Sequence, residues 1–214
     1  IGEFAIMLKN LKFKKLELEV VKLKNWSREK YFDEYKNEWI PASPNIPSIT
    51  SAVTYPGTCL FEATNISEGR GTTRPFEIIG APFINPAELL KEINRFKLGG
   101  VCFRQIYFRP TFDKFKNEIC GGLFFHVIDR KKFKPVRTAL ILIYLLKKLY
   151  PEKFEWYSGA YEYENKIPAI DILYGSDLFR KCVDNQNVLK NIFSKINIEE
   201  KNFFDENRKW RIYK

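Results

Sequence analysis

The residues best suited to chemistry lie in one short segment, Thr64-Asn65-Ile66-Ser67-Glu68-Gly69-Arg70-Gly71-Thr72-Thr73. It offers carboxylate, guanidinium, amide and hydroxyl groups close together, and its two glycines allow the backbone to approach a ligand closely. The same residue types also satisfy the backbone of an ordinary surface turn. Composition alone therefore leaves two interpretations open, a grip on a polar ligand and a turn-rich connection.

Other chemistries fit the chain less well. The chain has no GxxxxGK[ST] motif, and Gly69-Arg70-Gly71 does not stand between a clear strand and a helix, as a dinucleotide fingerprint requires. A serine or cysteine nucleophile is disfavoured because GxSxG is missing and His126 is the only imidazole. The four cysteines are far apart, without a CxxC pair, so the sequence predicts no metal site and buried thiols rather than disulfides.

The chain carries a formal net charge of +10 with an isoelectric point near 9.3, which is compatible with an anionic partner. Its lysines are spread throughout, and the sharpest basic run, Arg130-Lys131-Lys132, is brief. This distribution favours a solvated surface over a nucleic-acid stripe. The apolar run at 139–146 is shorter than the roughly 20 residues that span a bilayer, so we predict no membrane span.

Local patterns predict alternating helices and strands. The best-defined helix start is Asn85-Pro86, where Asn85 caps, Pro86 suits the first helical position and Gly99-Gly100 ends the run. The predicted helices are 2–11, 86–97, 135–150, 177–183 and 188–196, and the predicted strands are 16–23, 101–109, 122–128 and 168–173, with 210–213 closing a sheet edge.

Further sequence blocks follow the polar segment in a characteristic order. They are Gly100-Val101-Cys102-Phe103-Arg104, Pro110-Thr111-Phe112-Asp113-Lys114, Cys120-Gly121-Gly122, His126-Val127-Ile128-Asp129-Arg130, Phe133-Lys134-Pro135-Val136-Arg137-Thr138, Pro168-Ala169-Ile170-Asp171 and Gly175-Ser176-Asp177. With residues 43–84, they resemble the NamZ (YbbC) family of bacterial exo-β-N-acetylmuramidases, formerly a domain of unknown function. Ala63 departs from the pattern, since the family is expected to favour glycine there.

The resemblance implies a Rossmann-like amino-terminal domain followed by a smaller α+β domain, with a substrate cleft between them. The implied fold class is α+β, a mixed sheet with packed helices, preceded by the last helix and strand of a truncated Rossmann-like domain. Residues 1–40 are then the remnant and crossover linker, and residues 41–214 the carboxy-terminal α+β domain. The family's Glu-His-Gly motif, associated with acid catalysis, has no counterpart here, so we expect the chain alone to be inactive.

The implied substrates are peptidoglycan fragments or muropeptides, and no cofactor is expected. Glycoside hydrolysis needs a proton donor and usually a second carboxylate. Glu68 lies inside the polar segment and Glu62 just before it, and Glu68 is the better catalytic candidate. Its alternative roles are positioning a sugar hydroxyl and pairing with Arg70. Arg70 is predicted to clamp the lactyl carboxylate, and the residues predicted to contact hydroxyl or acetamido groups are Asn65, Thr72 and Thr73.

Two residues on the predicted strands complete the candidate site. Arg104 shares a strand face with apolar neighbours, so it is either an anchor for an acidic substrate group or half of a buried ion pair with Asp171 or Glu68. His126 is either a hydrogen-bonded core residue or, by its likeness to the family's Gly-Gly-x-x-x-His-Val block, a substrate-binding one. The sequence also leaves open a different class of function, a non-catalytic module that binds cell-wall glycan. Compartment and oligomeric state are not indicated by the sequence.

Overall fold

The computed structural model describes residues 1–187 and 189–213 and divides into two compact units. Unit 1 comprises Ile1–Trp39 and Phe193–Lys214, and unit 2 comprises Ile40–Ile192. In the described residues the helices are α1 Gly2–Leu11, α2 Ile49–Thr58, α3 Pro86–Asn94, α4 Pro135–Leu149, α5 Ala169–Tyr174, α6 Leu178–Asp184 and α7 Lys190–Asn207, and the strands are β1 Ile78–Ala81, β2 Val101–Phe108 and β3 Cys120–Val127. None of these described helices is long and apolar enough to cross a bilayer.

Unit 1 is held together by polar contacts around Glu3. Its carboxylate accepts hydrogen bonds from Arg28 and from the backbone N–H groups of Ile212 and Tyr213. The predicted strand at 16–23 is wrong, because the segment runs without a ladder and the Leu23 N–H donates to the Tyr213 hydroxyl instead. The predicted edge at 210–213 is also wrong, since a 3₁₀ turn at Arg208–Trp210 is followed by residues that form no strand ladder and bond to Glu3 instead.

Unit 2 is built on an antiparallel three-stranded sheet in the order β1-β3-β2. The α+β class is confirmed, but the mixed sheet is not, because both strand pairs are antiparallel. The connection between β2 and β3 is short and contains no helix, which makes them antiparallel neighbours. Register pairs Arg104 with Phe124 and Cys102 with His126, so these four side chains share one face of the sheet.

The opposite face of the sheet forms the core. Ile79, Leu123 and Phe125 are buried there, and α3 packs across β2 and β3 while α4 packs against α2 and α3. The predicted start of α3 is confirmed, since the Asn85 side chain accepts the Ala87 and Glu88 N–H groups. The helix ends at Asn94 rather than 97, and Lys97 already has φ +47°.

The predicted strand at 168–173 is wrong, because this apolar run is helix α5, which begins after Pro168 and ends at Gly175 with φ +88°. Short apolar runs suit a strand and a buried helix equally. The helices predicted at 177–183 and 188–196 are confirmed as α6 and α7, although residue 188 lies outside the described residues.

Candidate functional site

The polar segment 64–73 lies beside the sheet. Ser67 and Gly80 exchange both backbone hydrogen bonds, at 2.9 and 3.0 Å, which extends the pairing outward from β1. The chain then turns at Gly69 and Gly71, with φ +84° and +76°. A Cβ at residue 71 would lie 2.6 Å from the Phe112 carbonyl oxygen, so glycine lets the connection between β2 and β3 reach the segment.

Glu68 lies inside the protein, with only 2% of its side chain exposed. Its Oε2 is 3.0 Å from Lys114 Nζ, and its Oε1 is 3.3 Å from Arg70 Nε. Lys114 also donates to the carbonyl oxygens of Phe61 and Ile66, at 2.8 and 3.1 Å. A carboxylate buried between two cations is a structural centre of charge pairing, and in this geometry Glu68 holds the segment through both cations.

Arg70 lies among three carboxylates. Its Nη2 donates to Glu62 at 2.6 Å, and its Nη1 is 3.8 Å from Asp113 Oδ2. The Nε contact with Glu68 is an ion pair that does not meet hydrogen-bond geometry. We call Glu62, Glu68, Arg70, Asp113 and Lys114 the Arg70 cluster; with three carboxylates against two cations, it carries excess negative charge.

Glu62 links this cluster to a more distant part of the chain. The Tyr161 hydroxyl donates to Glu62 Oε2 at 2.7 Å, and the pKa of Tyr161 is raised, first by burial and then by this bond to a carboxylate. Nearby, burial and the negative charge of Glu62 raise the pKa of Cys59 to about 11. The Cys59 thiol is therefore protonated at neutral pH.

The other predicted contacts within the segment bond to the protein's own backbone or face solvent. Asn65 donates to the Lys153 carbonyl oxygen at 2.7 Å and accepts from the Glu155 N–H at 3.1 Å. Thr72 donates to the Gly69 carbonyl oxygen at 2.6 Å and accepts from the Arg74 N–H at 3.0 Å. Thr73 is exposed. Thr72 thus stabilises its own turn, which was the alternative that composition left open, and Asn65 ties the segment to the backbone of residues 153–155.

Arg104 and His126 form a separate, exposed site on the sheet. Arg104 Nε donates to His126 Nε2 at 3.4 Å, and its guanidinium lies 5.4 Å from the centre of the Phe124 ring. We call these three residues with Cys102 the Arg104 patch. Of the two alternatives for Arg104, the buried ion pair is wrong, because Asp171 pairs with Arg180 at 2.6 Å and Glu68 with its own two cations. His126 is likewise exposed rather than a core residue.

The sheet relates the Arg104 patch to the polar segment. Ile78, Phe124 and Arg104 lie side by side on β1, β3 and β2. A Cβ at residue 69 would meet Ile78 Cγ1 at 2.7 Å, so the Gly69 turn lies against the first residue of this row. Two strand spacings, or about 10 Å, separate Ile78 from Arg104. One face of the sheet therefore carries both the turn and the patch.

Sequence reasoning gave no site role to Asp113, Lys114 or Tyr161. Their partners lie tens of residues away along the chain, and no local pattern marks such contacts. Asp113-Lys114 did stand in one of the recurring sequence blocks, which was the available signal. Within the described residues, no group of three His, Cys, Asp or Glu side chains is arranged to hold a metal ion, and all four cysteines are free thiols.

Comparisons with known proteins define the class. The fold matches two DUF1343 family proteins of known structure from Bacteroides fragilis NCTC 9343. One has TM-score 0.85 and 27% identity, with 100% of this chain and 56% of that chain covered, and the other has TM-score 0.64 and 21% identity, with 100% and 55% covered. At 21% identity, the second match supports a likeness in fold only.

The sequence comparisons identify a named family. The family described as "Exo-beta-N-acetylmuramidase NamZ, C-terminal" matches residues 53–213, and its N-terminal counterpart matches residues 1–50. The chain is 39% identical over 213 residues to the peptidoglycan beta-N-acetylmuramidase NamZ of Bacillus subtilis (strain 168), covering 100% of this chain and 50% of that protein. The chain belongs to the NamZ family, and it spans about half the length of the relatives that it matches.

Proposed function

We propose that this chain is the carboxy-terminal part of a peptidoglycan glycoside hydrolase that releases N-acetylmuramic acid from non-reducing ends. In this proposal residues 1–40 complete a Rossmann-like amino-terminal domain, and unit 2 supplies a cleft wall and substrate recognition. The observation that carries the proposal is the carboxy-terminal family match over residues 53–213, which contains the Arg70 cluster and the Arg104 patch. The 39% identity to a named muramidase supports the same class of reaction.

The geometry favours Arg104 over Arg70 as the partner of the substrate's lactyl carboxylate. Arg70 already lies among three carboxylates, and another anion there would meet net negative charge. Arg104 is exposed, and its described neighbours are an aromatic ring and an imidazole, which leave its planar fork available to a carboxylate. Acid catalysis belongs to the amino-terminal half in this proposal, since Glu68 is buried and paired.

Turnover tests the proposal directly. The complete gene product, with the amino-terminal half, should release nitrophenol from a nitrophenyl N-acetylmuramide. Replacing Arg104 with Gln should raise KM about tenfold, because a charge-assisted hydrogen bond is lost. Arg109→Gln is the matched control, since Arg109 is also exposed and directly follows the same strand. Absence of turnover by the complete wild-type protein would refute the hydrolase assignment.

A non-catalytic wall-binding module is the second candidate, and the net charge of +10 favours it. Cell-wall glycans that carry lactyl and peptide carboxylates are anionic, and a basic surface attracts them. Sedimentation with insoluble peptidoglycan distinguishes the two candidates. Retention of this chain on peptidoglycan, combined with no turnover by the complete protein, supports the binding module.

A further inference from the structure

We propose that Asp113 is a substrate-contacting residue that accepts a hydrogen bond from a sugar hydroxyl or acetamido N–H. The inference rests on the proposed function and deepens it, by naming the ligand chemistry at the open end of the Arg70 cluster. Asp113 lies in the connection between β2 and β3, on a different element from the polar segment that sequence reasoning singled out.

The three carboxylates of the Arg70 cluster are satisfied to different degrees. Glu62 accepts from Arg70 at 2.6 Å and from Tyr161 at 2.7 Å, and its side chain is 14% exposed. Glu68 is 2% exposed between its two cations. Asp113 is 36% exposed, and its 3.8 Å contact with Arg70 is longer than a hydrogen bond. It is therefore the carboxylate of the cluster that is open to an incoming donor.

The backbone holds Asp113 in this outward position. Asp113, Phe115 and Asn117 have φ values of +67°, +57° and +66°, in the left-handed region that side chains other than glycine seldom adopt. Such conformations persist where the surroundings over-determine them. Lys114 supplies one anchor by inserting its ammonium among the oxygens of Phe61, Ile66 and Glu68.

Two backbone contacts supply further anchors. The Thr111 N–H donates to the Gly71 carbonyl oxygen at 2.8 Å, and the Asn117 N–H donates to the Pro110 carbonyl oxygen at 2.7 Å. Asp113 and Lys114 are adjacent but have different roles. Lys114 anchors the connection to the interior, whereas Asp113 remains at the surface beside Arg70.

The charge balance determines which ligand groups this position accepts. With three carboxylates against two cations, the cluster repels a further carboxylate and attracts hydrogen-bond donors. A carboxylate side chain is an acceptor only, which matches hydroxyl and amide N–H groups. The Asp113 position therefore reads features that N-acetylmuramic acid shares with N-acetylglucosamine, and the lactyl group is recognised elsewhere.

Binding measurements on the complete protein test this inference. Calorimetry would give Kd values of N-acetylmuramic acid and N-acetylglucosamine for the wild type and for Asp113→Asn. Asn tolerates positive φ better than most residues, so the fold should be retained, and an unchanged melting temperature would check this. We expect both Kd values to rise by a similar factor of about ten, because the Asn amide oxygen still accepts the hydrogen bond but without the charge of the carboxylate. Glu118→Gln, an exposed acid in the same connection, should change neither.

The outcomes separate this inference from the proposed function. Equal Kd values for wild type and Asp113→Asn overturn the inference, even if the complete protein hydrolyses its substrate. A change confined to N-acetylmuramic acid also overturns it, because the contact would then involve the lactyl group. Parallel weakening of both sugars without turnover supports the Asp113 contact and refutes only the hydrolase assignment.

Discussion

The Arg70 cluster and the Arg104 patch each hold an arginine 5.4 Å from the centre of a phenylalanine ring, yet their surroundings differ in charge. Arg70 lies among Glu62, Glu68 and Asp113, whereas Arg104 lies beside His126 on an exposed sheet face. An arginine over an aromatic ring therefore does not by itself define an anion site. In our proposal, the neighbouring carboxylates decide whether the guanidinium organises the protein or meets a ligand.

The largest expected effect comes from removing the buried charge of the Arg70 cluster. Glu68→Gln leaves Lys114 and Arg70 without their shared carboxylate, and we expect the free energy of unfolding to fall by about 3 kcal/mol. Urea denaturation measures it. The exposed control Glu118→Gln should stay within about 0.5 kcal/mol of wild type. Similar values for the two variants would show that Glu68 does not stabilise the fold.

The next effect concerns the cation on the other side of Glu68. Lys114→Met removes the hydrogen bonds to Phe61, Ile66 and Glu68 while keeping much of the aliphatic stem. We expect a loss of about 2 kcal/mol, because Arg70 still pairs with Glu68. Lys116→Met is the matched control, since Lys116 is exposed in the same connection. Equal urea midpoints for the two variants would contradict the anchoring role of Lys114.

A smaller effect should depend on pH. Burial and the bond to Glu62 raise the pKa of Tyr161, so the folded protein keeps a proton that the unfolded chain loses near pH 10. Stability from this group is present below about pH 10 and falls as pH rises above it. Tyr161→Phe should therefore make the loss of stability above pH 10 shallower. Part of the slope should persist, because Tyr150 also has a raised pKa, about 12. Identical alkaline slopes for wild type and variant would exclude this linkage.

The smallest effect on stability is expected at the Arg104 patch. Arg104→Gln should change the free energy of unfolding by less than about 0.5 kcal/mol, because the residue is exposed and its contacts are local. Urea denaturation checks this beside Arg109→Gln. A loss comparable to that of Glu68→Gln would mean that the patch is structural, and the contrast between the two arginines would disappear.

Sequence reasoning succeeded where local chemistry determines local structure. The Asn85 cap, the β-branched and aromatic strand at Val101 and the long apolar helix after Pro135 each depend on nearby residues. It failed at 16–23 and 168–173, where the tertiary partner decides between strand, helix and coil.

The candidate site shows the same division between local and distant information. The proximity of Arg70 to Glu68 could be read from the segment itself. The contacts with Asp113, Lys114 and Tyr161 depend on chain reversals and on positive φ values that residue types do not reveal. The carboxylate that the sequence selected, Glu68, is the one that the fold encloses.

The side chain of Asn65 joins two stretches that are distant in sequence, because it bonds to the Lys153 carbonyl oxygen and to the Glu155 N–H. Glu62 lies shortly before Asn65, and Tyr161 lies shortly after Glu155. The Asn65 contacts therefore help to hold the two partners of the Glu62–Tyr161 hydrogen bond in place. A substitution at Asn65 would remove these contacts between the two stretches. Glu62 and Tyr161 would then lose the alignment of their hydrogen bond, although neither residue had been altered.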